Sequence, residues 1–344
     1  MKLLVAGGAG FIGSHFVRRM LAEHPNYHIT VVDKLTYAGS LTNLKDVGSN
    51  PRFQFVQMDI CDPEINDLVR GTDAVLNLAA ESHVDRSIED ASVFVSSNVV
   101  GTHRLLDACR RQGIPRFVQI STDEVYGSLG PEGKFDENSP VSPNSPYAAT
   151  KGAADLLVLA AMRTHAVPAI ITRSSNNYGP FQFPEKFIPL MIAQAMAGEK
   201  LPLYGDGQNI RDWLHVEDHC RALDLVVHHG SEGEIYNIGG EFEIANLAVA
   251  HRILDLLEQP RTLVQFVSDR PGHDRRYAMN CDKIKSQLGW QQQWTFDTGL
   301  PDTIRWYSDN REWLEEMRSP AYREYFARQY HGREGTLARK QPAT

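Results

Sequence analysis

No apolar run in this 344-residue chain approaches the roughly 20 residues that cross a bilayer as a helix, so no membrane span is expected. Cysteine is scarce. Cys61, Cys109, Cys220 and Cys281 lie far apart, without a C-x-x-C spacing. That excludes a zinc knuckle or a dithiol redox motif and leaves reduced thiols; no metal is expected. Positive charge is also short: 35 Lys and Arg face 43 Asp and Glu, a formal net charge of −8. A general nucleic-acid binder needs the opposite sign, although a few local arginines can still hold an anionic small molecule. Internal repeats and low-complexity tracts are absent. Met1-Lys2 leads straight into a short strand pattern rather than the longer apolar stretch of a signal peptide, so the expected location is cytoplasmic.

What is present reads as alternating strands and helices. Leu3-Leu4-Val5-Ala6 is a short apolar run, and Phe16, Val17, Met20 and Leu21 then fall at helical spacing. Further strand patterns follow at 28–33, 53–56, 74–78, 117–120 and 169–172, with long helical stretches at 92–112 and 147–165. Such alternation implies an α/β fold: a doubly wound parallel sheet of the Rossmann type, covered on both faces. Beyond about residue 175 prolines interrupt the pattern, and helices are expected near 185–197 and 244–258. The expected organisation is a dinucleotide-binding domain over 1–175 that receives later strand contributions from the C-terminal half. A smaller substrate-binding region spans 176–328, and a polar, disordered tail covers 329–344.

Between the first strand and helix stands Gly7-x-x-Gly10-x-x-Gly13. Glycines there permit a tight turn and close approach of backbone to a pyrophosphate, which the free N–H groups of the helix N-terminus then hold. Asp33 ends the second strand twenty residues after Gly13, where a carboxylate grips a ribose diol and repels a 2′-phosphate. NAD is therefore the expected cofactor. Asp59, at the end of the third strand with Ile60, falls at the adenine edge. Ala79-Ala80-Glu81-Ser82-His83 follows the fourth strand at the switch point. His83 there is either a substrate contact or a loop histidine satisfied by backbone.

Tyr147 and Lys151 lie one helical turn apart on one face, at the start of a helix announced by Pro143 and Pro146. An ammonium and a nicotinamide cation beside a phenol favour its phenolate, which can accept a hydroxyl proton. Directly after the fifth strand come Thr122-Asp123-Glu124. Alone, two acids there would read as an N-cap or solvated turn. Beside a dinucleotide site and a Tyr/Lys pair they read as an acid and a base for losing water, because neighbouring carboxyls split their proton affinities.

At this point the chain resembles the extended short-chain dehydrogenase/reductases, and within them the 4,6-dehydratases of nucleotide-linked glucose, dTDP-glucose foremost. The resemblance spans residues 1 to about 316. It rests on GGAGFIGSHFVR (7–18), VDKLTYAG (32–39), AAESHVDRSI (79–88), STDEVYGS (121–128), PNSPYAATK (143–151), SNNYGPFQFPEKFIPL (175–190), YGDGQNIRDWLHVEDHCRAL (204–223), YNIGG (236–240) and DRPGHDRRYA (269–278).

The resemblance implies that Tyr147, with Lys151, is the base at the C4 hydroxyl, which Thr122 polarises. Glu124 then removes the C5 proton, and Asp123 protonates the departing C6 hydroxyl. It implies NAD contacts at Phe11, Ile12, Lys34, Leu35, Thr36, Ala80, Ser82 and Asn177, besides Asp33, Asp59, Ile60, Tyr147 and Lys151. Ser97 stands where a cofactor-contacting Thr is usual. It implies substrate contacts at His83, Thr122, Asn176, Lys186, Phe187, Pro202, Tyr204, Arg211, Asn237, Arg270 and His273. Paired N–H donors suit Arg211 and Arg270 to a diphosphate, the alternative being surface ion pairs with the adjacent Asp212 and Asp269. Phe187 stands for a Leu at the nucleotide end and leaves the base open.

The rival readings share this scaffold. A 4,6-dehydratase of UDP-glucose differs only in the base. A nucleotide-sugar 4-epimerase or decarboxylase needs Tyr and Lys but not Asp123, which makes that residue the discriminator. A non-catalytic NAD-binding regulator would have no use for the four reactive side chains. The outer faces of helices 92–112 and 147–165 could form a four-helix contact, so a homodimer is expected.

Overall fold

A computed structural model describes residues 1–330. Twelve strands occur among them: β1 Lys2–Ala6, β2 His28–Asp33, β3 Phe53–Gln57, β4 Ala74–Asn77, β5 Phe117–Thr122, β6 Ala169–Ser174, β7 Asn176–Tyr178, β8 Leu201–Tyr204, β9 Ile210–His215, β10 Ile235–Ile238, β11 Glu243–Ala245 and β12 Val264–Val267. Seven form a parallel sheet in the order β10-β6-β5-β4-β1-β2-β3. Strands β5 and β6 are buried along their whole length, as a sheet with both faces covered requires. The chain reverses direction across the sheet between β1 and β4, and the crevice at that switch opens at the strands' carboxyl ends.

The six strands expected before residue 175 are all present. The later contribution to the sheet is β10, which pairs in parallel with β6 from 61 residues beyond that strand's end. The expected helix over 92–112 is not uniform. A turn at Ser92–Phe94 passes into a π-helix at Val95–Gly101 before the α-helix Thr102–Gln112 begins. The wide π turn puts Asn98 against the loop after β4: Asn98 accepts from the Glu81 N–H at 2.9 Å, and its amide donates to the Glu81 carbonyl at 3.0 Å. Gly101 closes it because any Cβ there would lie 2.6 Å from the Ile60 side chain.

The C-terminal half builds a second core from the helices Phe187–Ala197, Asn246–Leu256 and Phe296–Asp309. Two small sheets, β11-β9-β7 and β12-β8, join this half to the rim of the crevice. The tail expected from 329 is not seen at its first two residues. The helix Pro320–Tyr330 carries Gln329 and Tyr330, and Gln329 is buried. The rest of that expectation lies outside the described residues.

Candidate active site

The glycine turn is shaped by exclusion. Gly7 takes a φ of +77°, and a Cβ on Gly13 would sit 2.3 Å from the Gly7 carbonyl oxygen. The helix Phe11–Glu23 starts at Gly10 with no side-chain cap, so its first N–H groups stay available to an anion. Asp33 is aimed at this turn: its carboxylate accepts from the N–H of Ala9 at 3.0 Å and of Leu35 at 2.9 Å. Burial raises its proton affinity, and these two bonds work against that. Gly13→Ala is therefore expected to give a folded protein stripped of its dinucleotide. Retained NAD after purification, measured by releasing and quantifying it, would remove the turn from the site.

One cleft runs from this turn to the end of β5. Gly7, Gly10, Phe11, Ile12 and Gly13 line one end, with Asp33, Lys34, Thr36, Asp59 and Ile60 beside them. Ala80, Ser82, Ser97 and Asn177 line its flanks. Thr122, Asp123, Glu124, Tyr147 and Lys151 line the far end, with Asn176 and Lys186. Leu35, with a φ of 57°, packs on the core behind Asp33 instead of lining the cleft. Lys34 donates to Ser97 at 2.8 Å and stands 3.5 Å from Asp59, which ties together three of the expected contacts.

At the chemical end, the Lys151 ammonium reaches 2.6 Å to the Ile120 carbonyl, and burial lowers it to about 8. The Tyr147 phenol is held protonated by the chain's own surroundings. Burial pushes its proton affinity far up, Glu124 and Asp123 add to that, and a hydrogen bond with Thr122 opposes it. The two acids differ in their surroundings. Asp123 is raised well above the usual carboxylate range by burial, then by Glu124 and Asp212. Burial also raises Glu124, but Arg270, Lys186 and Arg211 all pull it back toward the anion.

The remaining expected substrate residues lie beyond this cleft's lining. Arg211 and Arg270 are not surface ion pairs. Arg211 is 5% exposed, donates to the carbonyls of Ile210 and Asp274, and lies over the Tyr277 ring. Arg270 pairs with the buried Asp85 at 3.3 Å. Tyr204 also donates to Asp85, and His273 packs edge-on to its ring. Phe187 stacks on Trp213, and Pro202 is buried within β8. Asn237 does not reach the cleft: it is fully buried in β10, its amide held by Tyr126 and the Phe135 carbonyl. His83 is buried too, with Nε2 at 3.2 Å from the Glu185 carbonyl.

Sequence reasoning missed Asp85 and Glu185, and it read Asp212 only as an ion-pair partner of Arg211, whereas it adds to the raising of Asp123. Asp85 joins Tyr204 and Arg270, and Glu185 pairs with Arg86 at 2.9 Å. Asp85 and Glu185 fell within stretches that carried the resemblance, but their partners are about a hundred or more residues away.

Comparison with known proteins agrees with this geometry. Residues 4–303 match the GDP-mannose 4,6 dehydratase family. The dTDP-glucose 4,6-dehydratase of Streptomyces niveus is 50% identical over 325 residues, covering 93% of this chain and 96% of that protein. That of Neisseria meningitidis is 50% identical over 346 residues, covering 94% and 97%. The structure of DesIV, a dTDP-glucose 4,6-dehydratase from Streptomyces venezuelae with NAD bound, superposes with a TM-score of 0.90 at 49% identity, covering 92% of this chain and all of that one. A UDP-glucuronic acid 4-epimerase from Bacillus cereus gives 0.85 at 28% identity, covering 90% and 99%.

Proposed function

The chain belongs to the GDP-mannose 4,6 dehydratase family, with dTDP-glucose 4,6-dehydratases among its relatives at half identity, and from that premise we propose that it converts dTDP-glucose, with NAD, to the 4-keto-6-deoxy sugar. The observation that carries this is the convergence of Tyr147, Asp123 and Glu124 on one cleft that also holds the glycine turn and Asp33. The donor set fits NAD: a turn that excludes a Cβ at Gly13, and a half-buried carboxylate placed for a diol. Bound there, NAD supplies the hydride acceptor for C4, the donor for C6 and a positive ring that favours the Tyr147 phenolate.

The chain's own groups move the protons. Tyr147 takes the proton of the C4 hydroxyl, and Thr122, bonded to the phenol, polarises the same oxygen. Once C4 is a ketone the C5 proton is acidic, and Glu124 removes it. Three cations favour the anionic form of Glu124. The C6–O bond then breaks as C5=C6 forms. Asp123 gives its proton to the departing hydroxyl, which leaves as water. Glu124 returns its proton to C5 when C6 is reduced. Tyr147 has gained one proton and Asp123 has lost one, so a transfer between them resets the site. An epimerase needs no such acid, which is why Asp123 separates the two readings. Offering dTDP-glucose, UDP-glucose and GDP-mannose separately, and following 4-keto sugar by its absorbance in alkali, tests this. Product from dTDP-glucose is expected; 4-epimer without water loss would overturn the reading.

The protein is proposed to work as a homodimer. Val93, Val95 and Val100 are 44–47% exposed on 92–101, and Leu156 is 56% exposed on the helix Pro146–His165. A second copy would cover these apolar side chains with its own. Light scattering is expected to give the dimer mass, and Leu156→Arg a monomer. A monomeric wild type at working concentration would refute this.

A further inference from the structure

The helix Pro320–Tyr330 reaches back from the end of the described chain into the residues expected to hold substrate. Gln329 is 4% exposed, and its amide donates 2.9 Å to the Tyr204 hydroxyl. Tyr204 donates in turn to Asp85 Oδ2 at 2.8 Å, and Arg270 donates to Asp85 Oδ1 at 3.3 Å. A continuous chain of hydrogen bonds therefore leads from this helix to the guanidinium. One turn back, the Tyr325 hydroxyl stands 3.4 Å from His83 Nδ1, and its ring lies under Arg86 at 3.9 Å. Tyr322 anchors the helix through its bond to the Pro184 carbonyl at 3.1 Å, beside Lys186. Helix packing alone does not call for this. The helix packs Tyr322, Phe326 and Tyr330 on the second core, and in addition it spends polar groups on Tyr204 and His83.

We propose that the helix Pro320–Tyr330 is part of the substrate site, with Gln329 and Tyr325 as positioning residues that set Tyr204–Asp85–Arg270 and His83 for the nucleoside diphosphate. This rests on the nucleotide-sugar reading above. The relay works by direction. Tyr204 has one proton, and Asp85 accepts it, so a group that bonds Tyr204 from the helix, Gln329 or the neighbouring Tyr330, must donate. A carboxylate at 329 would compete for that proton and add a negative charge near Asp85. Freed from Tyr204, Asp85 would leave Arg270 less well fixed, and Arg270 is the first of the cations that favour the Glu124 anion.

The test is calorimetric titration of the NAD-loaded protein with dTDP, alongside KM and kcat for dTDP-glucose. Losing one neutral hydrogen bond is worth about a two- to tenfold change in an equilibrium. Gln329→Ala and Tyr325→Phe are each expected to weaken dTDP and raise KM by about that factor, with kcat nearly unchanged and the same melting temperature. Gln329→Glu is expected to be worse than Gln329→Ala. It also moves the acid limb of the kcat profile upward, because a loosened Arg270 no longer lowers Glu124. Tyr325→Phe keeps the ring over Arg86 and so serves as the variant least disturbing to folding. Wild-type affinity for dTDP in Gln329→Ala and Tyr325→Phe, or Gln329→Glu equal to Gln329→Ala, overturns the proposal. Failure of the dehydratase reading shows on the wild type alone, as dTDP-glucose left unchanged. The dTDP ratios between variant and wild type are read independently of it.

Discussion

Asp123→Asn is expected to halt the reaction in the middle. The asparagine keeps the acceptor that Thr122 uses at 3.2 Å and the volume of a side chain that is 1% exposed, so the fold should hold. What it loses is the transferable proton. C4 oxidation depends on Tyr147 and should continue, visible as the near-ultraviolet absorbance of reduced nicotinamide. Glu124 should still exchange the C5 proton with solvent, so deuterium enters C5 of the bound sugar. Water should not leave, and turnover should fall about 100- to 10,000-fold, the usual worth of a positioned acid. Glu124→Gln is expected to stop one step earlier, with no C5 exchange. The pH dependence follows from the direction of the shift. Asp123 is raised, so it keeps its proton above the ordinary carboxylate range, and water loss should decline as the pH climbs through its raised value. Full turnover by both variants would remove the acid pair from the mechanism.

How much of this site was legible depends on how far each signal reaches along the chain. The glycine turn, Asp33 at the end of β2, the Tyr147/Lys151 spacing and the acids after β5 are local patterns. In each case a strand end or a single helical turn places the groups, so sequence spacing translates directly into position. Asp85 is different, because its meaning comes from Tyr204, Arg270 and, through Tyr204, Gln329, which lie 119 to 244 residues away. Nothing in the local pattern VDRSI distinguishes a relay carboxylate from a solvated one. The four-residue β10 offered too little periodicity to be read as a sheet strand on its own, and only the family stretch YNIGG marked it. The π-helix at Val95–Gly101 escaped because the 92–112 pattern reads as ordinary helix, while the neighbour that excludes a Cβ at Gly101 is Ile60, 41 residues earlier. The strength of burial at Tyr147 escaped for a related reason. Spacing predicts which cation lies near a phenol, but burial by the whole fold outweighs it.

Tyr147→Phe is expected to prevent the reaction from starting, which sets it apart from the acid pair. The ring can keep its edge contact with Phe94, 6.4 Å between centroids, so dinucleotide content and melting temperature should match the wild type. Without the phenol oxygen the C4 proton loses the acceptor that is bonded to Thr122. The rate should drop about 1,000-fold or more, toward the upper end of what one acid–base group contributes. Neither the reduced-nicotinamide absorbance nor C5 deuterium should appear, whereas Asp123→Asn shows both. Lys151→Met separates positioning from charge. Below about 8 the buried amine is an ammonium, and above that it is neutral. The wild-type phenol therefore loses its cation as the pH rises through that value. In Lys151→Met the cation is absent throughout, so C4 oxidation should be slower than in the wild type below about 8, and the two profiles should converge above it. An unchanged pH profile would leave Lys151 as an anchor for the Ile120 carbonyl and no more, and appreciable C4 oxidation in Tyr147→Phe would pass the role of base to another group.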